Sequence, residues 1–219
     1  MNVDAGVHGA TALPSSAGTQ VRVSHYWPVT LFLVSGVAAL IYQVCWQRLL
    51  FESVGVDLES VTIIVSTFMF GLGLGALLGG ELADRYPQHA LHSFALIELI
   101  TGAFGACSPW LIHATTAATV HSPLVVISAA NFGLLLVPTT LMGATLPILV
   151  SHVVRVFHNL GVSVGVLYFS NTLGAALGAF ATGFVVLYYF GLAATIYIAA
   201  GLNVVVSALV WLTLREPRV

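Results

Sequence analysis

The residues best suited to chemistry are few, and they lie in apolar surroundings. Glu98 sits in "SFALIELITGAF", the sole Asp, Glu, Lys or Arg between Arg85 and Arg155. A charge placed inside a bilayer costs several kcal/mol unless it is paired, hydrated or protonated, so such a residue points first to a proton relay or a cation site. The plainer alternative is a neutral carboxyl bonded to a neighbouring helix. In "IYQVCWQRLL", Tyr42 and Trp46 stand one helical turn apart, Gln43 and Gln47 stand beside them at the same spacing, and Arg48 follows. These side chains could form an aromatic and amide wall for a polar or cationic ligand. Aromatic and arginine side chains near a membrane surface also serve as plain interface anchors. Asn131 and Asn171 fall near the middle of two apolar runs. Each either touches a solute or joins helices at about 0.6 kcal/mol. Pro138 and Pro147 interrupt one run and free backbone carbonyls there, which predicts a kink, with a cavity beside it.

Other chemistries fit poorly. The eight histidines lie in the amino-terminal tail or near the ends of apolar runs, and none makes an axial pair at mid-membrane depth such as haem requires. Cys45 and Cys107 show neither metal spacing nor a disulfide framework, so both are assigned to packing. No metal and no cofactor are expected. The stretch "FGLGLGALLGGELADRYP", Phe70 to Pro87, alternates glycine at 71, 73 and 75 as nucleotide loops do. A nucleotide loop needs a strand before it and a partly polar helix after it. Here "VTIIVSTFMF" and "ALLGG" merge into one apolar run, where opened backbone amides would go unsatisfied at several kcal/mol each. What remains is Gly71, Gly75 and Gly79, one glycine per helical turn. Such a ridge lets a second helix approach closely.

These residues must be carried by membrane-spanning helices. Of 219 residues, 58% are apolar and 6% charged, and the mean hydropathy is +1.01. Soluble domains carry about 25% charged residues. The partner implied by composition is the lipid bilayer. A formal net charge of −2 excludes the basic face that nucleic-acid binding requires. Runs of spanning length, about 20 residues each, fall near Pro28–Leu50, Val61–Leu82, Ala90–Leu111, Val125–Val150, Val164–Tyr189 and Leu192–Leu214. The connecting breaks are "ESVGVDLES", "ADRYPQH", "HATTAATVHS", "SHVVRVFHN" and the tight "FG". Residues 1–24 are small and polar, and are expected to form a disordered cytoplasmic tail. Residues 25–215 form the transmembrane domain, and 216–219 a cytoplasmic end. With the amino terminus inside, Arg22, Arg85, Arg155, Arg215 and Arg218 are cytoplasmic and Arg48 alone is outside. That asymmetry follows the positive-inside rule, and sets the expectation of a multi-pass protein of the cell's inner membrane with both termini in the cytoplasm.

The chain also repeats itself. "LGALLG" at Leu74–Gly79 returns as "LGAALG" at Leu173–Gly178, 99 residues on, which pairs Gly75 and Gly79 with Gly174 and Gly178. The same offset carries Ala95, Ile97 and Gly102 onto Ala194, Ile196 and Gly201. Gly36 and Arg48 share a frame with Gly143 and Arg155 at a different offset. Each unit holds three spans, so the copies must be inverted, a plan that places solute sites near the midplane between repeats. "GGELADRYP" resembles the loop between helices 2 and 3 of the major facilitator superfamily. Gly80, Asp84 and Arg85 match that motif, while Pro87 replaces its next glycine and Gln88 and His89 break its basic end. The fold class expected is therefore all-α, six transmembrane helices as two inverted three-helix repeats, like one half of a major facilitator transporter.

Four ordered strings carry a closer resemblance: "SGVAALIYQVCWQRLL", "GLGLGALLGGELADR", "LMGATLPIL" and "YFSNTLGAALGAF". They resemble the integral-membrane, facilitator-like part of fused spermidine-synthase-like proteins, over roughly residues 30 to 214. Those proteins join such a region to an aminopropyltransferase-type domain. The chain stops at Val219, just after the last span, so no enzyme activity is expected from it. The function expected is transport of a small polar or cationic, polyamine-like solute by a half-transporter that needs a second half, as a homodimer or with a heteromeric membrane partner. The alternative is a non-catalytic anchor or accessory subunit of a larger membrane complex.

Overall fold

The computed structural model describes residues 27–55 and 57–215. The proposed tail at 1–24 and the end at 216–219 lie outside the described residues, as do Arg22 and Arg218. Among the described residues the chain is all-helical. The helices are α1 (Trp27–Val54), α2 (Asp57–Arg85), α3 (Ala90–Thr119), α4 (Leu124–Phe157), α5 (Leu160–Ala181) and α6 (Leu187–Arg215). Five helical runs are long and apolar enough to cross a membrane. The last of them covers Leu160–Leu214, taking in α5, a π-helical turn at Thr182–Val186, and α6. Backbone geometry breaks that run at Gly191, where φ is 74° and ψ is 176°. Side chains rarely tolerate that region, and glycine enters it without penalty. The break falls at the "FG" of Phe190 and Gly191.

Helices extend further than hydropathy alone implies. "HATTAAT" reads as a polar break, yet α3 continues through it to Thr119. Thr115, Thr116 and Thr119 each donate to the carbonyl four residues back, at 2.8–2.9 Å. Their hydroxyls are thus satisfied within the helix, and His113 and three alanines fill the remaining positions. In the same way α4 runs through "SHVVRVF". It stops where His158 adopts a left-handed conformation, φ 51°, with its N–H donating to Val154. Asn159 then caps α5 by accepting from Val162 N–H at 3.0 Å, the capping geometry that starts helices. Pro138 and Pro147 lie inside α4, and Pro109 lies inside α3. None of the three ends its helix.

Two helix seams are exceptionally close. Along α2, a Cβ added to Gly71 would strike Thr139 of α4, and one on Gly79 would lie 2.6 Å from Ala144 Cα. At Gly75 the obstacles are the Thr140 carbonyl and Gly143 Cα, the latter at 2.9 Å. Gly143 answers from α4, where a Cβ would lie 2.6 Å from Leu72 Cα. The α1–α5 seam is built alike. Gly174 abuts Leu33, Gly178 abuts Val37, and Gly36 abuts Asn171. Backbones meet directly in both seams, as small-residue ridges permit. Gly73 and Gly80 have open space at the Cβ position, so the ridge is confined to the one-per-turn set. Outside the seams, large apolar side chains such as Leu77, Phe169, Tyr188 and Trp110 are exposed, as expected of a surface facing hydrocarbon.

Candidate functional site

Glu98 is buried to 2% exposure. Ser35 of α1 donates its hydroxyl to Glu98 Oε1 at 2.6 Å. The second carboxylate oxygen, Oε2, has no hydrogen-bond partner among the described residues. Helices α1 and α3 continue this polar seam. Tyr42 reaches the face of α3 that Gly105 leaves open, since a Cβ there would collide with the phenol. One turn on, Trp46 Nε1 donates to Ser108 Oγ at 2.8 Å, and Ser108 in turn donates to the Gly105 carbonyl at 2.7 Å. Glu98 and Gly105 lie on one face of α3, because seven residues are close to two turns, and Ser108 follows Gly105 by less than one turn. Ser35, Tyr42 and Trp46 lie correspondingly on α1.

Tyr42 and Trp46 are wholly buried and stacked, with ring centroids 4.9 Å apart. They belong to the packed core between α1 and α3. The wall suggested by sequence therefore divides, with its aromatic pair facing inward. Gln43 is half-buried and lines a cavity of about 260 Å³. Gln47 is also half-buried, and Arg48 is exposed. Trp46→Phe is expected to lower stability by about 1 kcal/mol, the net worth of one buried hydrogen bond, without opening or closing the cavity. Thermal unfolding in mild detergent measures the first, and thiol labelling of Ala39→Cys, at a position that lines the cavity, measures the second.

The 260 Å³ cavity is bounded by α1, α2, α4 and α5. Its polar surface comes from Ser35, Gln43, Thr145 and Asn171, and its aromatic surface from Phe32, Phe68 and Tyr168. Asn171, read from sequence as either solute contact or glue, faces this cavity. It also packs against Gly36. Asn131 does not line it. Its amide donates to the Ile127 carbonyl at 2.9 Å, and its own carbonyl oxygen has no partner among the described residues. Ser35 is the structural link, since it lines the cavity and holds Glu98 at the same time. Nothing in the sequence marked Ser35 beyond its place in "SGVAAL". Asn203 of α6 also escaped sequence reading. It is buried beside Gly102, with its carbonyl oxygen unpartnered among the described residues. Leu146 of α4 lines this cavity and a second one, and Pro147, the second α4 proline, lines the second alone.

That second cavity, about 460 Å³, lies among α2, α4 and α5 and includes Gly80 and Asp84. Asp84 and Arg85 are both exposed. The contact that crosses this end of the bundle is instead Arg155 of α4, whose guanidinium donates to the Pro87 carbonyl. Proline thus supplies an acceptor at the position where the facilitator motif has glycine. Among the described residues, no group of three or more His, Cys, Asp or Glu side chains is placed to hold a metal ion.

No protein-family model matches the chain, and no solved structure matches it. Two curated proteins are similar. Polyamine aminopropyltransferase of Oceanobacillus iheyensis is 25% identical over 194 residues, covering 88% of this chain and 36% of that protein. Polyamine aminopropyltransferase 2 of Streptomyces coelicolor is 24% identical over 203 residues, covering 89% of this chain and 35% of that protein. The chain therefore spans about a third of the length of the curated relatives it matches.

Proposed function

We propose that this chain is a six-crossing, inverted-repeat membrane unit that moves a small cationic solute through the cavity beside Ser35 and Glu98. The number of crossings follows from length. A 55-residue helical run would measure about 80 Å if straight, against about 30 Å of hydrocarbon. The break at Gly191 divides it into two crossings.

The register of the two close seams carries the reading. In α2–α4, Gly75 meets Thr140, Gly79 meets Ala144 and Gly143 meets Leu72. Moving the α2 positions forward by 99 and the α4 positions back by 107 gives the α5–α1 contacts: Gly174 with Leu33, Gly178 with Val37, and Gly36 with Asn171. The first offset is that of the "LGALLG" repeat, and the second is that of the Gly36 and Gly143 frame. Three contacts in one seam thus map residue for residue onto three in the other. The cavity lies between these seams, and its lining contains matched pairs: Ser35 with Met142, Ala39 with Leu146, and Leu72 with Asn171. A site on the axis relating inverted repeats is where this architecture binds solute.

The cationic class follows from the buried carboxylate with its free oxygen, and from aromatic faces lining the cavity. The curated relatives bear the name polyamine aminopropyltransferase, so a polyamine is the first solute to test. We take the matched third of those proteins to be a membrane region, and aminopropyl transfer forms no part of the proposal. A second half-unit, from another copy or another chain, completes the transporter. An accessory-subunit role is the second reading, favoured by the backbone-to-backbone packing of both seams, which suits a rigid scaffold.

Orientation is tested by cysteine labelling in inner-membrane vesicles. With both termini cytoplasmic, a cysteine replacing the exposed Gln88 is expected to react from the cytoplasmic face. One replacing Val120, 59% exposed, is expected to react from the opposite face. Reaction of both from one side would overturn the six-crossing topology. Function is tested by uptake of radiolabelled polyamines into proteoliposomes. Absence of uptake across that class would transfer the assignment to the accessory-subunit reading.

A further inference from the structure

We propose that small cations reach the Ser35–Glu98 pair from the Asp84 end of the bundle, by a two-chamber route within this single chain whose constriction is Leu146 with Ala76. The inference deepens the reading above and rests on its orientation, which makes the Asp84 end cytoplasmic. The decisive observation is that the two cavities share a wall. Ala76 of α2 and Leu146 of α4 line both the 260 Å³ chamber and the 460 Å³ chamber. One chamber ends at Ser35, whose hydroxyl holds Glu98. The other contains Asp84, the sole ionisable side chain along its lining among the described residues, and Asp84 is exposed.

Chemistry along the route is graded for a cation. An acidic group at a mouth with low-dielectric walls concentrates cations and repels anions. The outer chamber beyond Asp84 is otherwise almost wholly apolar, with Ser151 its one other polar side chain. A permeating group therefore stays bare of strong partners until it meets the amides and hydroxyls of Gln43, Asn171, Thr145 and Ser35. Beyond Ser35 the unpartnered Oε2 of Glu98 is an acceptor whose burial costs free energy until something occupies it. At the constriction Ala76 contributes a single methyl, so Leu146 is the side chain whose rotation widens or closes the passage. Leu146 follows Thr145, which donates back to the Met142 carbonyl at 2.6 Å, and precedes Pro147, which has no N–H to donate. The backbone carbonyl that proline leaves unpaired loosens the helix at this point.

The route is tested by thiol accessibility in full-length protein in oriented membrane vesicles, with Cys45→Ala and Cys107→Ser removing the native thiols. Ala39→Cys reports on the inner chamber, Val154→Cys on the outer one, and Ala38→Cys on the packed core behind the inner chamber. Cationic and anionic methanethiosulfonates of matched size are applied from each side. The expected result is reaction of Ala39→Cys and Val154→Cys from the Asp84 side, with Ala38→Cys inert. The cationic reagent should be preferred by roughly fivefold, a ratio a single nearby carboxylate can produce, and Asp84→Asn should bring it close to unity. Leu146→Trp should slow Ala39→Cys at least about tenfold, while Val154→Cys in the same background keeps its rate and reports intact folding. Ala76→Leu serves as a second obstruction with a smaller side chain. Reaction of Ala39→Cys from the opposite side alone, or with a lipophilic reagent alone, would overturn the route. So would an unchanged rate in both obstructed variants. A labelled, cation-selective route in protein that takes up no polyamine would leave this inference standing and remove the transport reading.

Discussion

Replacing Gly75 with leucine is expected to destabilise the protein by about 3 kcal/mol, the upper part of the range for overpacking a filled site. The obstacle is backbone. A Cβ at this position meets the Thr140 carbonyl, the Ala144 N and Gly143 Cα, and none of these can rotate away as a side chain would. Helices α2 and α4 must therefore separate, and the reciprocal contact of Gly143 with Leu72 is lost with them. Gly174→Leu is expected to cost a similar amount, because it faces the Leu33 backbone in the matching seam. Gly73→Leu provides the contrast. Two residues from Gly75, it has nothing within 4 Å of its Cβ position, and the change should stay within about 0.5 kcal/mol. Thermal unfolding of the three variants in one mild detergent decides the matter. Equal melting of Gly75→Leu and wild type would remove the packed seam, and a large effect of Gly73→Leu would place the ridge on the wrong face.

The second large effect belongs to Glu98. Glu98→Gln is expected to reduce polyamine uptake at least tenfold, equivalent to about 1.4 kcal/mol, while leaving the melting temperature close to that of wild type. Glutamine has the same length, and its amide oxygen still accepts from Ser35, which now donates at 2.6 Å. What it loses is the charge and the capacity to take up a proton. Glu98→Ala should separate the two roles, since it strands the Ser35 hydroxyl and leaves a gap against α1. It is expected to lower stability by about 2 kcal/mol, as well as abolishing uptake. The measurement is uptake into proteoliposomes with and without a proton gradient, with assembly followed on the same preparations. Equal uptake by Glu98→Gln and wild type would remove Glu98 from the mechanism. Should the chain be an accessory subunit, Glu98→Gln would leave assembly of its complex unchanged.

The two faces of α1 divide its labour. Its inward face is spent on the stacked Tyr42 and Trp46 and the Ser108 hydrogen bond, which fix α1 against α3. Ser35 and Gln43 are left to the cavity. One helix thus contributes both to a packed core and to the lining of a polar cavity, on adjoining faces. Arg155, bonded to the Pro87 carbonyl, ties the end of α4 to the loop after α2 without using the charges of Asp84 or Arg85. Asp84 is exposed along the second cavity, and Arg85, also exposed, lies outside that lining.

Composition and periodicity by themselves determined that the chain is helical and apolar enough to cross a membrane, since 6% charged residues cannot cover a water-facing surface. They also placed a close-packing ridge at Gly71, Gly75 and Gly79, because two spaces of four residues put three glycines on one helical face and leave Gly73 off it. The "FG" break was legible for a similarly local reason: Gly191 takes a positive φ that few residues tolerate. Helix ends were not legible at "HATTAAT" and "SHVVRVF". Hydropathy falls there, but threonine and arginine side chains satisfy themselves on carbonyls of their own helix, and nothing in composition announces it. Tertiary structure alone decided which polar residues belong together. Ser35 and Glu98 are separated by 63 residues, and an intrahelical spacing rule has no reach across that distance. The rotation of α1 about its axis turned Trp46 inward and Gln43 toward the cavity. Both orientations keep the same turn-by-turn pattern in the sequence, so only packing against α3 and α5 could choose between them.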